Sequence, residues 1–139
     1  MDQKETDETV AEVLSAHAIV KRASTEAMAK LPRVLTRISA RFAIRVLDLV
    51  DFHRMDEELA QGRLDPRYVG PVRRSIAMAS PELFPEALKS HASSLKGHLS
   101  ALESALVHND LESARTQSHE AHEIYHELQH EVSEWLESG

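Results

Sequence analysis

The sequence predicts an all-α fold: a four-helix antiparallel bundle, with a short extra helix between the second and third long helices. Apolar residues recur at intervals of three and four along most of the chain, whereas only six of the 139 residues are aromatic and only four are glycine. Strands favour aromatic and β-branched side chains, and tight hairpin turns need glycine, so this composition favours helices. At this length we expect a single domain over residues 1–139 with one core.

The first two predicted helices are separated by a proline. The first begins at Thr6 or Asp7, either of which can cap it, and ends before Pro32. Because proline lacks the N–H that a helix start leaves unpaired, Pro32 is expected to open the second helix, which runs to Gly62. So short a break makes these two helices antiparallel neighbours, unless they stack into one kinked helix. The stripe expected to face the core comprises Val34, Ile38, Phe42, Leu49, Phe52 and Leu59.

The second half of the chain carries the clearest helix boundaries. Residues 63–71 are predicted to form a loop and residues 72–79 the short extra helix. Ser80-Pro81-Glu82 then predicts the start of the third helix, which is expected to accommodate Pro85 and to end near His108.

The fourth helix is predicted to begin after Asn109 or Asp110, one of which caps it, and to continue almost to the end of the chain. The link that separates it from the third helix is so short that these two helices are expected to be antiparallel neighbours.

Composition excludes several classes of function. The chain has no cysteine, which excludes disulfides, thiolate metal sites and cysteine nucleophiles and fits a reducing compartment. The N-terminus is polar and acidic, unlike a signal peptide, and no apolar stretch approaches the roughly 18 residues of a membrane span. We therefore expect a cytoplasmic protein that does not bind membranes. A net charge of −7 also opposes general nucleic-acid binding.

Histidine is the chemically distinctive residue, with nine copies, and four of them follow one another along the fourth predicted helix. His119, His122, His126 and His130 form a ribbon between the apolar stripe and a row of glutamates, with His122 nearest the core. Imidazole binds zinc, copper, nickel and iron, and two histidines four residues apart on a helix can hold one ion.

Helical bundles commonly build metal sites from facing helices, so the sequence predicts a shared histidine and glutamate site. The candidate ligands are His17, His53, Glu57, His91, His98, His122 and His126. A mixed histidine and carboxylate set favours zinc or iron, whereas nitrogen ligands alone would also admit nickel or copper. Such a bundle would act in sensing, storage or small-molecule handling.

The same histidines also have purely structural interpretations. His17 can be a hydrogen-bonded core residue, His53 and Glu57 can form a surface pair on one helix, and the ribbon can be a solvated edge. Under this alternative the chain is a non-catalytic interaction module that forms a homodimer.

One short segment resembles a known family. Residues Phe52–Leu59, FHRMDEEL, resemble the His-x-x-x-Glu helix of hemerythrin-like proteins, which are four-helix di-iron bundles. That family carries a His-x-x-x-His pair on its third helix, whereas His91 and His98 are seven residues apart. The resemblance is confined to these eight residues, and we do not assign the chain to this family.

Charge is distributed unevenly along the chain. Seven basic residues and one acidic residue lie between Lys21 and Arg45, whereas eight acidic residues and one basic residue follow from Asp110 onward. The simplest interpretation is that the basic second helix and the acidic fourth helix face each other, within a chain or across a dimer.

A sharper interpretation is an anion site lined by Arg37, Arg41 and Arg45, because the planar guanidinium suits phosphate and carboxylate. Arg45 is expected to reach the core stripe and to pair there with Asp48 or Asp56. Neither a Gly-x-Ser-x-Gly turn nor a His-Glu-x-x-His motif occurs in the sequence, so it specifies no reaction and no catalytic residue.

Overall fold

The structure is a computed structural model that describes residues 3, 7, 8, 10, 11 and 25–138, and for residues 25–30 the backbone alone. The described chain is helical and contains no strand, which confirms the all-α bundle. The helices are α1 (Thr25–Leu47), α2 (Phe52–Ala60), α3 (Val69–Met78), α4 (Lys89–Val107) and α5 (Leu111–Glu137). Short 3₁₀ turns cover Pro66–Tyr68, Pro81–Leu83 and Glu86–Leu88.

Contacts divide the chain into two units, Met1–Leu35 and Thr36–Gly139, and the hydrophobic core lies within the second. The single domain over residues 1–139 stays a prediction. Most of the first predicted helix, including His17, falls outside the described residues. None of the helices in the described ranges is long and apolar enough to cross a bilayer.

The predicted helix break at Pro32 is wrong, because Pro32 lies inside α1. Proline removes one backbone donor but fixes φ near the helical value, and the residues before it (Ala27, Met28, Ala29, Lys30 and Leu31) are strong helix formers. The break lies instead after Leu47, within the stretch predicted as one helix. There Asp51 caps α2 by accepting a 3.0 Å hydrogen bond from the backbone N–H of Arg54.

The third predicted helix begins later than expected. A residue that precedes proline is pushed out of the helical region, and Phe84, which precedes Pro85, is extended with φ −119° and ψ 158°. Two 3₁₀ turns therefore take the place of the first helical turns, and the continuous helix begins at Lys89. The predicted short helix is present as α3.

The turn between α4 and α5 follows the prediction more closely. Asn109 adopts a left-handed φ of 56°, and Asp110 caps α5 by accepting a 3.1 Å hydrogen bond from the backbone N–H of Ser113. Helix α5 packs against both α4 and α2. It also lies beside α1. Arg37 of α1 contacts Leu136 of α5, and Asp48, eleven residues after Arg37 and just beyond the end of α1, contacts Tyr125 of α5. The order of these contacts is that of two antiparallel helices.

The core is mainly aliphatic and draws on all of the helices α1 to α5. Its fully buried members include Ala40, Ala43, Leu47, Met55, Leu59, Leu95, Leu99, Leu102 and Leu128. The predicted stripe of the second helix is correct only in α2, where Phe52 and Leu59 are buried. In α1 the stripe faces outward: Ile38 is 61% and Phe42 58% exposed. Small side chains, Ala40 and Ala43, face the bundle in their place.

Candidate functional site: a histidine cluster between α2 and α5

Two helices bring histidines to one edge of the bundle. On α2, burial of Phe52, Met55 and Leu59 fixes the helix face, which leaves His53 and Asp56 at its borders. On α5, Ala121, Tyr125 and Leu128 are buried. The borders of that buried face carry His119, His122 and His126. The side chain of His122 is only 17% exposed, against 58% for His119, so the prediction that His122 lies nearest the core is confirmed.

The closest contact in the cluster joins His122 and His126. Their Nε2 atoms are 2.9 Å apart and their ring centroids 4.6 Å apart. At that distance one nitrogen donates a hydrogen bond and the other accepts it. The ring of His53 approaches from α2, with its centroid 6.0 Å from that of His122. Three imidazoles from two helices thus lie side by side.

Asp56 lies on the inner side of this cluster. Its Oδ2 is 3.5 Å from Nδ1 of His122 and 3.5 Å from Nδ1 of His119. A carboxylate facing Nδ1 favours a proton on that nitrogen, which leaves the Nε2 lone pair of His122 free for another partner. His119 is held on its other side by Glu123, whose Oε1 lies 3.2 Å from Nε2.

A cleft of about 430 Å³ opens beside the cluster, between α5 and the turn that joins α1 to α2. Residues 48–53 line one wall, and His122, Tyr125 and His126 line the other. The hydroxyl of Tyr125 donates a 2.7 Å hydrogen bond to Asp48. Burial raises the pKa of Tyr125, and the bond to Asp48 raises it further, so the phenol stays neutral and remains a donor.

The predicted metal ligands separate into two groups. The structure brings together His53, His122 and His126, and places Glu57 beside His53 with 4.0 Å between Oε2 and Nε2. His17 lies outside the described residues.

The two histidines of α4 contact other parts of α5. Nδ1 of His98 is bonded at 2.7 Å to Gln117, and His91 lines a small depression with Ile124 and Glu127. The Nδ1 atom of His91 is buried without a hydrogen-bond partner. Within the described part of the chain, no three histidine, aspartate or glutamate groups are already grouped so as to hold a metal ion.

The three arginines of the predicted anion site have different environments. Nη2 of Arg37 donates a 2.8 Å hydrogen bond to the carbonyl of Leu136, and its guanidinium carbon lies 5.9 Å from the ring centroid of Trp135. Arg41 and Arg45 are exposed and form no ion pair with any residue that the structure describes. The expectation that Arg45 reaches the core is wrong, because two residues along a helix is about 200° and Leu47 is the buried one.

Sequence reasoning placed His119 in the same ribbon as His122 and His126, but it missed Asp56 as a neighbour of the cluster and the bond between Tyr125 and Asp48. Asp56 is three residues after His53, a spacing that places both on adjacent parts of one helix surface. Tyr125 recurs at helical spacing with the apolar residues of its helix, and a buried tyrosine hydroxyl usually has a hydrogen-bond partner. That requirement could have indicated from the sequence that Tyr125 needs a polar partner.

No family model matches this chain, and neither a curated protein nor a solved structure resembles it closely enough to be counted as a match.

Proposed function

We propose that this chain binds a divalent transition-metal ion through His122 and His126, with His53 as a third ligand, and acts in metal sensing, storage or small-molecule handling. Zinc is the ion we expect first, with iron as the alternative where a carboxylate joins the ligand set, and nickel or copper on nitrogen ligands alone. The single observation that carries the proposal is the 2.9 Å distance between the two Nε2 atoms.

The required movement is small. In a tetrahedral zinc site with Zn–N bonds of about 2.0 Å, two ligand nitrogens stand about 3.3 Å apart. The two Nε2 atoms therefore converge already, and a metal ion would replace the proton that they share. Two imidazoles on one tetrahedral ion have ring centroids about 5 Å apart. His53, with a side chain 82% exposed and its ring 6.0 Å from that of His122, is free to close that gap.

Asp56 supports the proposal from behind the ligands. Metal-binding histidines generally donate their second ring N–H to a carboxylate or carbonyl, which fixes the ring and its tautomer. Asp56 faces Nδ1 of His122 in that way. The open cleft beside the histidines would leave the remaining coordination positions to water or to a small ligand.

The test is a calorimetric titration of the untagged, EDTA-treated full-length protein with zinc chloride and then nickel chloride. We expect stoichiometric binding that weakens at least tenfold in His122→Ala and in His126→Ala, and less in His53→Ala. The matched control is His130→Ala, since His130 lies one turn farther along α5, where its Nε2 is 3.1 Å from Oε1 of Glu134. Absence of binding, or an equal loss in the His130 variant, would overturn the proposal.

A second candidate function is that of a non-catalytic interaction module that forms a homodimer. The observation that favours it is the exposure of Ile38 and Phe42, on the side of α1 opposite the buried residues Ala40 and Ala43. Large apolar side chains in a contiguous exposed row are typical of an interaction surface. Sedimentation velocity of the metal-free protein tests it: a concentration-dependent dimer supports self-association, and a monomer at about 100 µM rules it out.

A further inference from the structure

Helix α1 has two apolar faces, and the residues that the structure describes cover one of them. Ala40, Ala43 and Leu47 are fully buried against the bundle. On the opposite side Ile38 is 61% exposed, Phe42 58%, and Leu49, just beyond the end of the helix, 83%. We call Ile38, Phe42 and Leu49 the outer face of α1.

The outer face can form the apolar centre of a dimer interface. Each of its three side chains exposes on the order of 100 Å², so the apolar area amounts to roughly 300 Å² per copy. A stable protein–protein interface buries about 800 Å² per partner, and neighbouring polar groups would supply the remainder. A single exposed helix also suits a second identical helix, because antiparallel helices interdigitate along such rows.

Charge on one edge of the outer face points to the occupant. Arg41 and Arg45 lie along the edge nearest α5, and neither pairs with a described residue. The last turn of α5 reaches that same edge, because Arg37 binds the carbonyl of Leu136. That turn carries Glu134 and Glu137, both exposed, at the negative end of the helix dipole.

We propose that the outer face of α1 pairs with the same face of a second copy about a two-fold axis, so that Arg41 meets the acidic last turn of α5 of the partner subunit. In an antiparallel helix pair with this symmetry, each edge meets the same edge of the other copy. That edge holds both Arg41 and the end of α5. Arg41 of each copy therefore meets the partner's Glu137, and the dimer contains two such ion pairs.

An anionic membrane fits the same surface less well. Basic and apolar residues on one helix can bind a bilayer surface, but the whole chain carries a net charge of −7, which an anionic bilayer repels. An identical copy needs no excess of positive charge, because the same edge carries the arginines of α1 and the glutamates of the last turn of α5.

The inference rests on the proposed self-association, and the experiment separates the two. Sedimentation velocity is run on the full-length protein in EDTA, which removes any dimer that a metal ion bridges. Phe42→Glu and Ile38→Glu are expected to raise the dimer dissociation constant at least a hundredfold. The matched control is Val107→Glu, which changes an equally exposed apolar residue at the end of α4, 54% accessible, and is expected to leave the dimer intact.

A charge exchange tests the register. Arg41→Glu and Glu137→Arg are each expected to weaken the dimer at least threefold, and the double variant is expected to recover most of that loss. A wild-type dimer that Phe42→Glu leaves unchanged would overturn this surface while self-association stands. A monomeric wild-type protein would overturn both self-association and this surface. If that monomer bound vesicles containing phosphatidylserine, the occupant of the surface would be a membrane.

Discussion

The hydroxyl of Tyr125 lies 2.7 Å from the carboxylate of Asp48, to which it donates a hydrogen bond, and the Tyr125 ring packs 5.1 Å from that of Phe52. Asp48 belongs to the turn between α1 and α2, and Phe52 is the first residue of α2. One side chain of α5 therefore fixes the start of the helix that carries His53. The spacing between the histidines of α2 and α5 depends on this contact.

Replacing Tyr125 with Phe keeps the ring and removes the hydroxyl. We expect the free energy of unfolding at neutral pH to fall by about 1.5–3 kcal/mol, the usual contribution of a hydrogen bond to a charged acceptor. The measurement is urea denaturation of wild type and Tyr125→Phe in parallel. A variant as stable as wild type would show that water replaces the hydroxyl at Asp48 without loss.

The same pair makes stability depend on alkaline pH. The folded-state pKa of Tyr125 is raised, chiefly by burial, so the contribution of the neutral phenol is complete below the ordinary tyrosine pKa. As the pH rises above that value, the unfolded chain loses its proton first and this contribution is lost. We expect wild type to lose more stability than Tyr125→Phe between about pH 9 and pH 11. Parallel pH curves for the two proteins would contradict this assignment.

The sequence predicted helices well where one face alone is apolar. In α4 the leucines that recur at helical spacing, Leu95, Leu99 and Leu102, are all buried. In α1 apolar residues occupy both faces, so periodicity cannot decide which side meets the core. The structure buries Ala40 and Ala43, because small side chains let helices approach closely, and leaves Ile38 exposed.

The candidate site was predicted in part for a related reason. Spacing along one helix identified the pair His122 and His126, since residues four apart are neighbours on any helix. Which residues of other helices join them depends on how each helix is rotated and shifted. The predicted convergence of His98 with this pair does not occur, because His98 lies against Gln117, two turns earlier on α5.

Arg37 and Arg41 offer a matched comparison one turn apart on α1. Arg37 donates to the carbonyl of Leu136 at the end of α5 and lies over Trp135, whereas Arg41 has no described partner. Replacing each with Met keeps most of the aliphatic stem. We expect Arg37→Met to lower the free energy of unfolding by about 1 kcal/mol, through lost capping and cation–π contact. Arg41→Met is expected to change it by less than about 0.5 kcal/mol in the monomer.

Glu58 and Tyr68 give a test at acidic pH. The hydroxyl of Tyr68 donates a 2.8 Å hydrogen bond to Glu58, which is the main cause of the lowered pKa of Glu58, with a smaller contribution from Arg54. Burial and this bond together raise the pKa of Tyr68 to about 12. In Tyr68→Phe we expect the pKa of Glu58, measured by NMR titration of its carboxyl carbon, to rise toward the ordinary value. Arg54→Ala is expected to raise it less.

The sign of the linked stability change follows from that lowered pKa. A carboxyl group whose folded-state pKa is depressed contributes stability above its ordinary pKa and loses it as the pH falls through the folded value. The stability difference between wild type and Tyr68→Phe should therefore shrink as the pH falls below about 4.5. A difference that stays constant down to the folded-state pKa would mean that Tyr68 acts through packing and not through Glu58.

Leu99 and Ile38 distinguish the covered and uncovered parts of the apolar pattern. Both are large aliphatic residues at helical spacing, but Leu99 is fully buried and Ile38 is 61% exposed. Leu99→Ala leaves a cavity and is expected to lower the free energy of unfolding by about 2–5 kcal/mol. Ile38→Ala removes a side chain that is largely in water already, so we expect a change below about 0.5 kcal/mol. Urea denaturation is run at a protein concentration low enough that the monomer predominates. Self-association would stabilise the folded protein by mass action, and part of any loss in Ile38→Ala would then come from the dimer. Equal losses in the two variants would mean that Ile38 is covered within the monomer, and the outer face of α1 would then not be free for a second copy.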